Sequence, residues 1–182
     1  MALLTGPWVT ARRARVAALC ALLWLAVAGM AEEATFTNDE RILKVAFLYN
    51  FSLYSEWPAP PVAGLVLCVL GRDQLGPALD ALASRQVNGK PLLLRRIDVR
   101  ADVTACHMLY IAAAADIQTA TIALDLQRKP ILSVSDDANA EVAMIHLGRE
   151  GNRLVFDVDN TRARAAGLVL SSKLLRLARN VR

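Results

Sequence analysis

The sequence has few of the residues that catalytic and metal sites need. It contains three cysteines and only two histidines, His107 and His146, and neither histidine has cysteine or acidic neighbours at metal-ligand spacing. Ser133 and Ser135 lack the glycine-flanked turn of a serine nucleophile. Residues 71–76 follow an apolar run but lack the middle glycine of a dinucleotide loop and the lysine of a phosphate loop. These absences favour a binding protein over an enzyme, and no cofactor or metal is expected.

Acidic residues are absent from the first 31 positions, which contain three arginines between positions 12 and 15. An apolar run over 16–27 follows, too short for a typical membrane span, and then small residues. This pattern predicts a signal peptide over residues 1–31 and export to the periplasm, with an uncleaved anchor as the alternative. The remaining residues 32–182 carry 18 basic and 17 acidic side chains. Because its positive and negative charges are nearly equal in number, this part of the chain is not expected to bind nucleic acid.

Residues 32–182 are enough for one domain with a proper core, and their composition is that of a globular protein. Two cysteines remain after export, Cys68 and Cys106, because Cys20 lies within the apolar run of the signal peptide. An even number in an oxidising compartment favours a disulfide between them, and two separate buried thiols are the alternative.

Residues 41–58 form the most apolar and aromatic stretch of the predicted domain. Apolar side chains recur every three or four residues but wrap most of the way round, which predicts one helix that needs cover on more than one side. Its end is rich in aromatic residues: Tyr49, Phe51, Tyr54 and Trp57. Core packing explains them, and so does contact with a partner, because aromatic side chains favour protein interfaces.

Strand and helix patterns alternate through the middle of the chain. Strands are predicted at 65–70, 91–97, 106–112 and 130–134, and helices at 75–83 and 116–126. Segments 142–147 and 153–158 flank a turn and predict an antiparallel hairpin at a sheet edge. The predicted fold class is α/β, with a mixed, mainly parallel central sheet, helices on both faces and that edge hairpin.

The end of the chain is predicted to be helical, over 160–166 and again over 173–181. Basic residues recur every third position in the last helix and include Arg176 and Arg179. Such a stripe is either a solvated face or a surface that meets a partner or a membrane.

Five motifs in this order make the chain resemble the YfiR family of periplasmic regulators. They are KVAFLYNF at 44–51 followed by Trp57-Pro58, CVLGR at 68–72, VNGKP at 87–91, PILSV at 130–134 and AGLVLSSKLLRLA at 166–178. The resemblance runs from about Arg41 to the end of the sequence. It implies a protein that restrains an inner-membrane diguanylate cyclase by binding the cyclase's periplasmic portion, and so lowers cyclic di-GMP and biofilm formation. It also implies that Cys68 and Cys106 match the family's central disulfide pair.

The sequence thus predicts a regulatory binding protein whose partner-binding residues are among Tyr49, Phe51, Tyr54, Trp57, Arg176 and Arg179. A homodimer is left open. The alternative is a periplasmic small-ligand sensor or binding protein of a signalling or transport system, with a crevice near Gly71 and Ser135. Asp136 and Asp137 follow the fourth predicted strand there, although adjacent carboxylates most often cap a loop.

Overall fold

A computed structural model of the chain describes residues 39–71, 74–98, 102–112, 126, 129–137 and 139–182. The chain divides into two units, Met1–Glu40 and Arg41–Arg182. The first unit is described only at residues 39 and 40, so the predicted signal peptide over 1–31 lies outside the described residues. The same holds for the helix predicted over 116–126, of which only Leu126 is described.

The described part combines short helices with ten strands. Helix α1 covers 39–53. The other elements, in order, are β1 (Ser55–Glu56), β2 (Leu65–Leu70), α2 (Pro77–Asp80), a 3₁₀ turn (Ala81–Ser84), β3 (Gln86–Val87), β4 (Lys90–Ile97), β5 (Met108–Ile111), β6 (Leu132–Ser135), β7 (Ile145–Glu150), β8 (Arg153–Val158), α3 (Asn160–Ala165), β9 (Val169–Leu170), α4 (Ser172–Leu175) and β10 (Asn180–Val181).

Eight strands form one mixed sheet in the order β10-β8-β7-β6-β5-β2-β4-β3. Pairing is antiparallel between β7 and β8 and between β3 and β4, and the other neighbours are parallel. The predicted α/β class is confirmed as a mixed α/β fold with few described helices. Helices on both faces and a mainly parallel sheet stay predictions. The predicted hairpin is present as β7 and β8, but its edge position is wrong, because β10 pairs with the outer side of β8.

Strand β2 lies inside the sheet, between β4 and β5, and it separates two apolar clusters. Successive side chains of a strand point to opposite faces. Leu65, Leu67 and Val69 therefore join the larger cluster, whereas Cys68 and Leu70 join the smaller one on the other face. The unbroken apolar run at 65–70 is what a strand buried on both faces requires.

Helix α1 packs on the face of the larger cluster. Its buried apolar side chains are Val45, Leu48 and Phe51. The Phe51 ring lies 5.0 Å from the ring of Phe156 on β8, in an edge-on arrangement that aromatic pairs prefer. A contact between residues so far apart in sequence ties the start of the domain to its end.

Helix α1 ends earlier than the predicted limit near Pro58. Ser55 and Glu56 leave the helix and pair with Leu170 and Val169, so that β1 and β9 form a small antiparallel sheet. Tyr54 consequently lies in the turn after α1, and Trp57 lies beyond β1. Pairing with a distant strand has overridden the local helical pattern.

The helix predicted over 173–181 is wrong beyond its first turn. Ser171 caps α4, since its hydroxyl oxygen accepts a hydrogen bond from the Leu174 N–H at 3.2 Å. The helix then stops, because the N–H of Arg179 donates to the carbonyl oxygen of Phe156 and that of Arg182 to the carbonyl oxygen of Val158. The main-chain N–H groups of these residues thus pair with the outer side of β8 and not within a helix. The basic residues therefore do not form one helical stripe.

Candidate partner-binding surface

Two of the six predicted partner-binding residues lie in the core. Phe51 has 0% of its surface exposed, and Trp57 has 8%. The indole Nε1–H of Trp57 donates to the main-chain oxygen of His107 at 2.9 Å. The structure therefore gives both side chains a packing role, and their predicted role in partner binding stays a prediction.

Tyr49 sits at the surface over β3. Its hydroxyl donates to the carbonyl oxygen of Gln86 at 2.9 Å, and the guanidinium carbon of Arg85 lies 5.8 Å from the centre of its ring. The ring is partly buried against the larger cluster. Tyr49 thus fixes the start of the β3–β4 hairpin against α1 and leaves only part of its ring to solvent.

Tyr54 belongs to a second and more open surface. The ammonium of Lys173 lies 5.1 Å from the centre of the Tyr54 ring, a cation–π arrangement, and the Ser171 N–H donates to the Tyr54 carbonyl oxygen at 3.0 Å. Glu56 and Val169 are exposed cross-strand neighbours in the adjoining pair. Val169 exposes 58% of its surface.

We name the group Tyr54, Glu56, Val169, Lys173 and Arg176 the β1–β9 surface. Arg176 is exposed one helical turn after Lys173, where it ends α4. The two short strands and the segments that adjoin them therefore carry an aromatic ring, an exposed apolar side chain and charges of both signs. Such a combination is suited to a protein partner, since interfaces favour aromatic residues and arginine.

Arg179 is not part of that surface. Its Nε lies 3.0 Å from Oδ1 of Asp157, and a second guanidinium nitrogen reaches the other carboxylate oxygen. The hydrogen bond from Arg179 holds the pKa of Asp157 below its usual range, and the same bond raises the pKa of Arg179. This pairing fastens the last residues of the chain to β8.

The Arg179–Asp157 pair lies in a charged groove with a volume of about 580 Å³. Its charged lining consists of Glu141, Asp157, Asp159, Arg162, Arg179 and Arg182. Arg182 donates to Asp159 at 3.2 Å, and Asp159 caps α3 by accepting from the Arg162 N–H at 2.8 Å. The acidic and basic side chains of this groove interact with one another, so they can stabilise the fold without a ligand.

The cysteines are joined as predicted. A disulfide links Cys68 of β2 to Cys106, just before β5, with Cα atoms 5.8 Å apart. Both residues are buried in the smaller cluster together with Val103. The bond therefore fixes the loop that enters β5 against the middle of β2.

The polar side chains near Ser135, where a crevice was predicted, make hydrogen bonds within the chain. The Ser135 hydroxyl donates to the Ile111 carbonyl oxygen at 2.9 Å and accepts from the Asp137 N–H at 3.0 Å. Asp136 accepts from the ammonium of Lys44 on α1 at 2.8 Å, and Asp137 caps a turn at Asn139. At the other predicted position, the N–H of Gly71 donates to the carbonyl oxygen of Ile97, and residues 72–73 after it lie outside the described residues.

Sequence reasoning missed Glu56 and Val169. Both lie in two-residue strands, which are too short to show the alternation that identifies a strand. The stacking of Lys173 on Tyr54 depends on the pairing of β1 with β9, which no local pattern shows. No local sequence signal identifies this surface, because the burial of Leu170 beside exposed Val169 follows from the pairing of β1 with β9.

The described ranges contain no cluster of three or more histidine, cysteine or acidic residues that could hold a metal ion. None of the helices in those ranges combines the length and the hydrophobicity that a membrane crossing requires.

A family model described as YfiR/HmsC-like matches residues 41–179, which include all six predicted partner-binding residues and both cysteines. No curated protein matches the chain.

Proposed function

This chain belongs to the YfiR/HmsC-like family, and on that premise we propose that it represses an inner-membrane diguanylate cyclase by binding the cyclase's periplasmic portion. At the level of the family, membership supports a periplasmic regulator of the cyclic di-GMP pathway that acts without catalysis. The match over residues 41–179 is the observation that carries the proposal. The disulfide supports a periplasmic location, because disulfides persist in oxidising compartments.

The proposal includes the processing of the chain. Residues 1–31 serve as the signal peptide, and residues 32–182 remain as one regulatory domain. The apolar run and the arginines before it support this division, as does the start of the family match at residue 41.

The β1–β9 surface is the part of the domain that we propose meets the cyclase. A repressor shifts its target only by binding the inactive state more tightly than the active one. Aromatic and arginine anchors are the usual source of such affinity, and Tyr54 and Arg176 supply them here. The stacking of Lys173 on Tyr54 holds the ring in place before binding, so that less side-chain entropy is lost on contact.

The test compares surface and core variants in cells that carry the paired cyclase. Tyr54→Ala and Lys173→Glu should raise cyclic di-GMP while the melting temperature of the purified protein changes by only a few degrees. Arg153→Glu, an exposed charge reversal at the β7–β8 turn, is the matched control and should leave cyclic di-GMP low. Phe51→Ala should raise cyclic di-GMP only through loss of folded protein.

Two results would refute the proposal. Cyclic di-GMP that stays unchanged when the whole gene is deleted would remove the regulatory role. The second result requires that the wild-type protein represses the cyclase. If the surface variants then repress it fully at normal stability, the β1–β9 surface is not the contact.

A further inference from the structure

Strand β4 has a neighbouring strand along most of its length on one side only, although the 3₁₀ turn Ala81–Ser84 also contacts it. It is the longest described strand, with eight residues. On the inner side, β2 pairs with it from Leu92 to Ile97. On the outer side, β3 pairs only with Lys90 and Pro91. Within the ranges that the structure describes, no strand lies beside the outer side of β4 after that point.

The direction of the main-chain groups follows from two hydrogen bonds. The N–H of Leu92 donates outward to the carbonyl oxygen of Arg85 at 3.0 Å, and the carbonyl oxygen of Ile97 accepts on the inner side from Gly71 at 3.4 Å. Groups of alternate residues in a strand point to the same side. The N–H and C=O of Leu94 therefore point outward, to the side where β3 has ended, whereas those of Leu93 point toward β2.

The side chains along this edge are apolar at its start and basic at its end. Leu93 exposes 41% of its surface, and Leu94 is half-buried against the larger cluster. Arg95 and Arg96 are exposed. Asp80 accepts from Arg96 at 2.7 Å, and Asp102 lies within electrostatic reach of Arg95 but is hydrogen-bonded to Thr104. Arg95 is therefore the cation with most to gain from a new partner.

We propose that the outer edge of β4 binds an extended, acidic segment of another protein as an added strand. Main-chain hydrogen bonds at Leu94 would supply the pairing, and the side chains would supply the selectivity. In an antiparallel arrangement, as β3 already has, the segment would read acidic, acidic, apolar, apolar, opposite Arg96, Arg95, Leu94 and Leu93. This site is separate from the β1–β9 surface and does not rest on the proposed repression.

Charge favours such a segment over a second copy of this chain. Pairing of two β4 edges would gather Arg95 and Arg96 of both copies on one short ladder, where like charges repel. The arginines also have a simpler use, since charged residues on an edge strand prevent aggregation. Protection against aggregation predicts no affinity for acidic strands, so binding measurements distinguish this role of the arginines from the proposed binding site.

The first experiment uses the purified full-length protein and a blocked synthetic peptide, Thr-Glu-Glu-Val-Val-Thr, which spans about 20 Å when extended. Hydrogen exchange of the Leu94 amide, measured by NMR, should be fast in the free protein. Its rate should fall at least about tenfold at saturating peptide. The matched peptide with lysine in place of both glutamates should leave the exchange unchanged.

Two proline variants then test the geometry. Leu94→Pro removes an outward N–H, and proline is tolerated on an edge strand at such a position, so this variant should fold and lose the peptide. Leu93→Pro removes an inward N–H that pairs with β2 and should lower the melting temperature instead. If Leu94→Pro does not fold, Arg95→Glu provides the test. This variant should bind the acidic peptide about fivefold or more weakly than the wild type, and it should bind the lysine peptide more tightly.

Three outcomes would overturn the inference. One is a Leu94 amide that is already protected in the free protein, which means that the edge is covered. Another is equal binding, or no binding, of the two peptides. The last is protection of Leu94 that rises with protein concentration alone, which means that a second copy occupies the edge. None of these results bears on cyclic di-GMP, so the inference and the proposed function fail separately.

Discussion

Trp57 is fastened to His107 by a hydrogen bond from the indole N–H to the main-chain carbonyl oxygen, at 2.9 Å. The side chain of His107 is itself an acceptor, because its Nδ1 lies 3.1 Å from the N–H of Val66 at the start of β2. His107 thus joins the segment after β1 to two neighbouring strands. Nδ1 accepts only while it carries no proton.

The first prediction is that the folded protein loses stability in mild acid. Burial lowers the pKa of His107 below its usual 6.5, so the unfolded chain binds a proton more readily than the folded protein. The stabilisation is therefore present above the unfolded-state pKa and is lost as pH falls below about 6.5. Stability should decrease by up to about 1.4 kcal/mol per pH unit there. Urea unfolding between pH 8 and 5 measures this slope.

The control for that prediction is His107→Asn, whose side-chain oxygen can still accept from Val66 but binds no proton. Its stability should lose the slope between pH 6.5 and 5. The matched variant His146→Asn should keep the slope. A wild-type slope that survives in His107→Asn would show that another group causes it.

The second prediction concerns the disulfide. Cys68 and Cys106 are separated by 38 positions, and closing a loop of that length stabilises by about 4 kcal/mol in the chain-entropy account. Replacing both cysteines by alanine should reduce the free energy of unfolding by an amount of that order. A reductant should lower the urea midpoint of the wild type and leave that of the double variant unchanged. A wild-type midpoint that is insensitive to full reduction contradicts the prediction.

The third prediction concerns the end of the chain. Asp157→Asn weakens the two-pronged contact with Arg179, so the Arg179 and Arg182 amides, which donate to β8, should exchange faster. The pKa of Asp157 is lowered by Arg179, so this contact stabilises the fold above pH 3.8 and is lost as pH falls through the lowered pKa. Wild-type exchange at these amides should therefore approach that of the variant only in strong acid. Equal exchange of the two proteins at pH 7 would contradict this.

The fourth prediction separates the two kinds of aromatic residue. Phe51→Ala should cost about 3 to 5 kcal/mol, because it leaves a cavity beside Phe156. Tyr54→Ala should cost much less, since its ring is only partly buried. Thermal unfolding of both variants measures the difference. Equal losses would mean that Tyr54 is a packing residue as well.

Buried strands were the part of the fold that the sequence predicted best. The run at 65–70 matches β2 residue for residue, because only a strand covered on both faces needs such an unbroken apolar segment. Asn88 and Gly89 form the turn between β3 and β4, and both have positive φ, which asparagine and glycine tolerate.

The candidate site was harder to predict because it depends on contacts between distant segments. Helix α1 is apolar almost all round, so the sequence alone could not say which aromatics face the core. Phe51 does, and Tyr54 stays at the surface only because Ser55 pairs with Leu170. The last helix failed for the same reason, since the outer side of β8 captures Arg179. Local propensity carries no information about such pairings.

The contact between Phe51 and Phe156 also affects how the chain folds while it is being made. A ribosome adds residues in order, so α1 is complete about a hundred residues before β8 exists to cover it. Closing so long a loop is slow. During that interval Phe51 lacks the ring of Phe156, although the apolar side chains of β2 on the same face are already made. The larger cluster therefore stays incomplete until β8 is made, and full burial of α1 is expected to be a late step of folding.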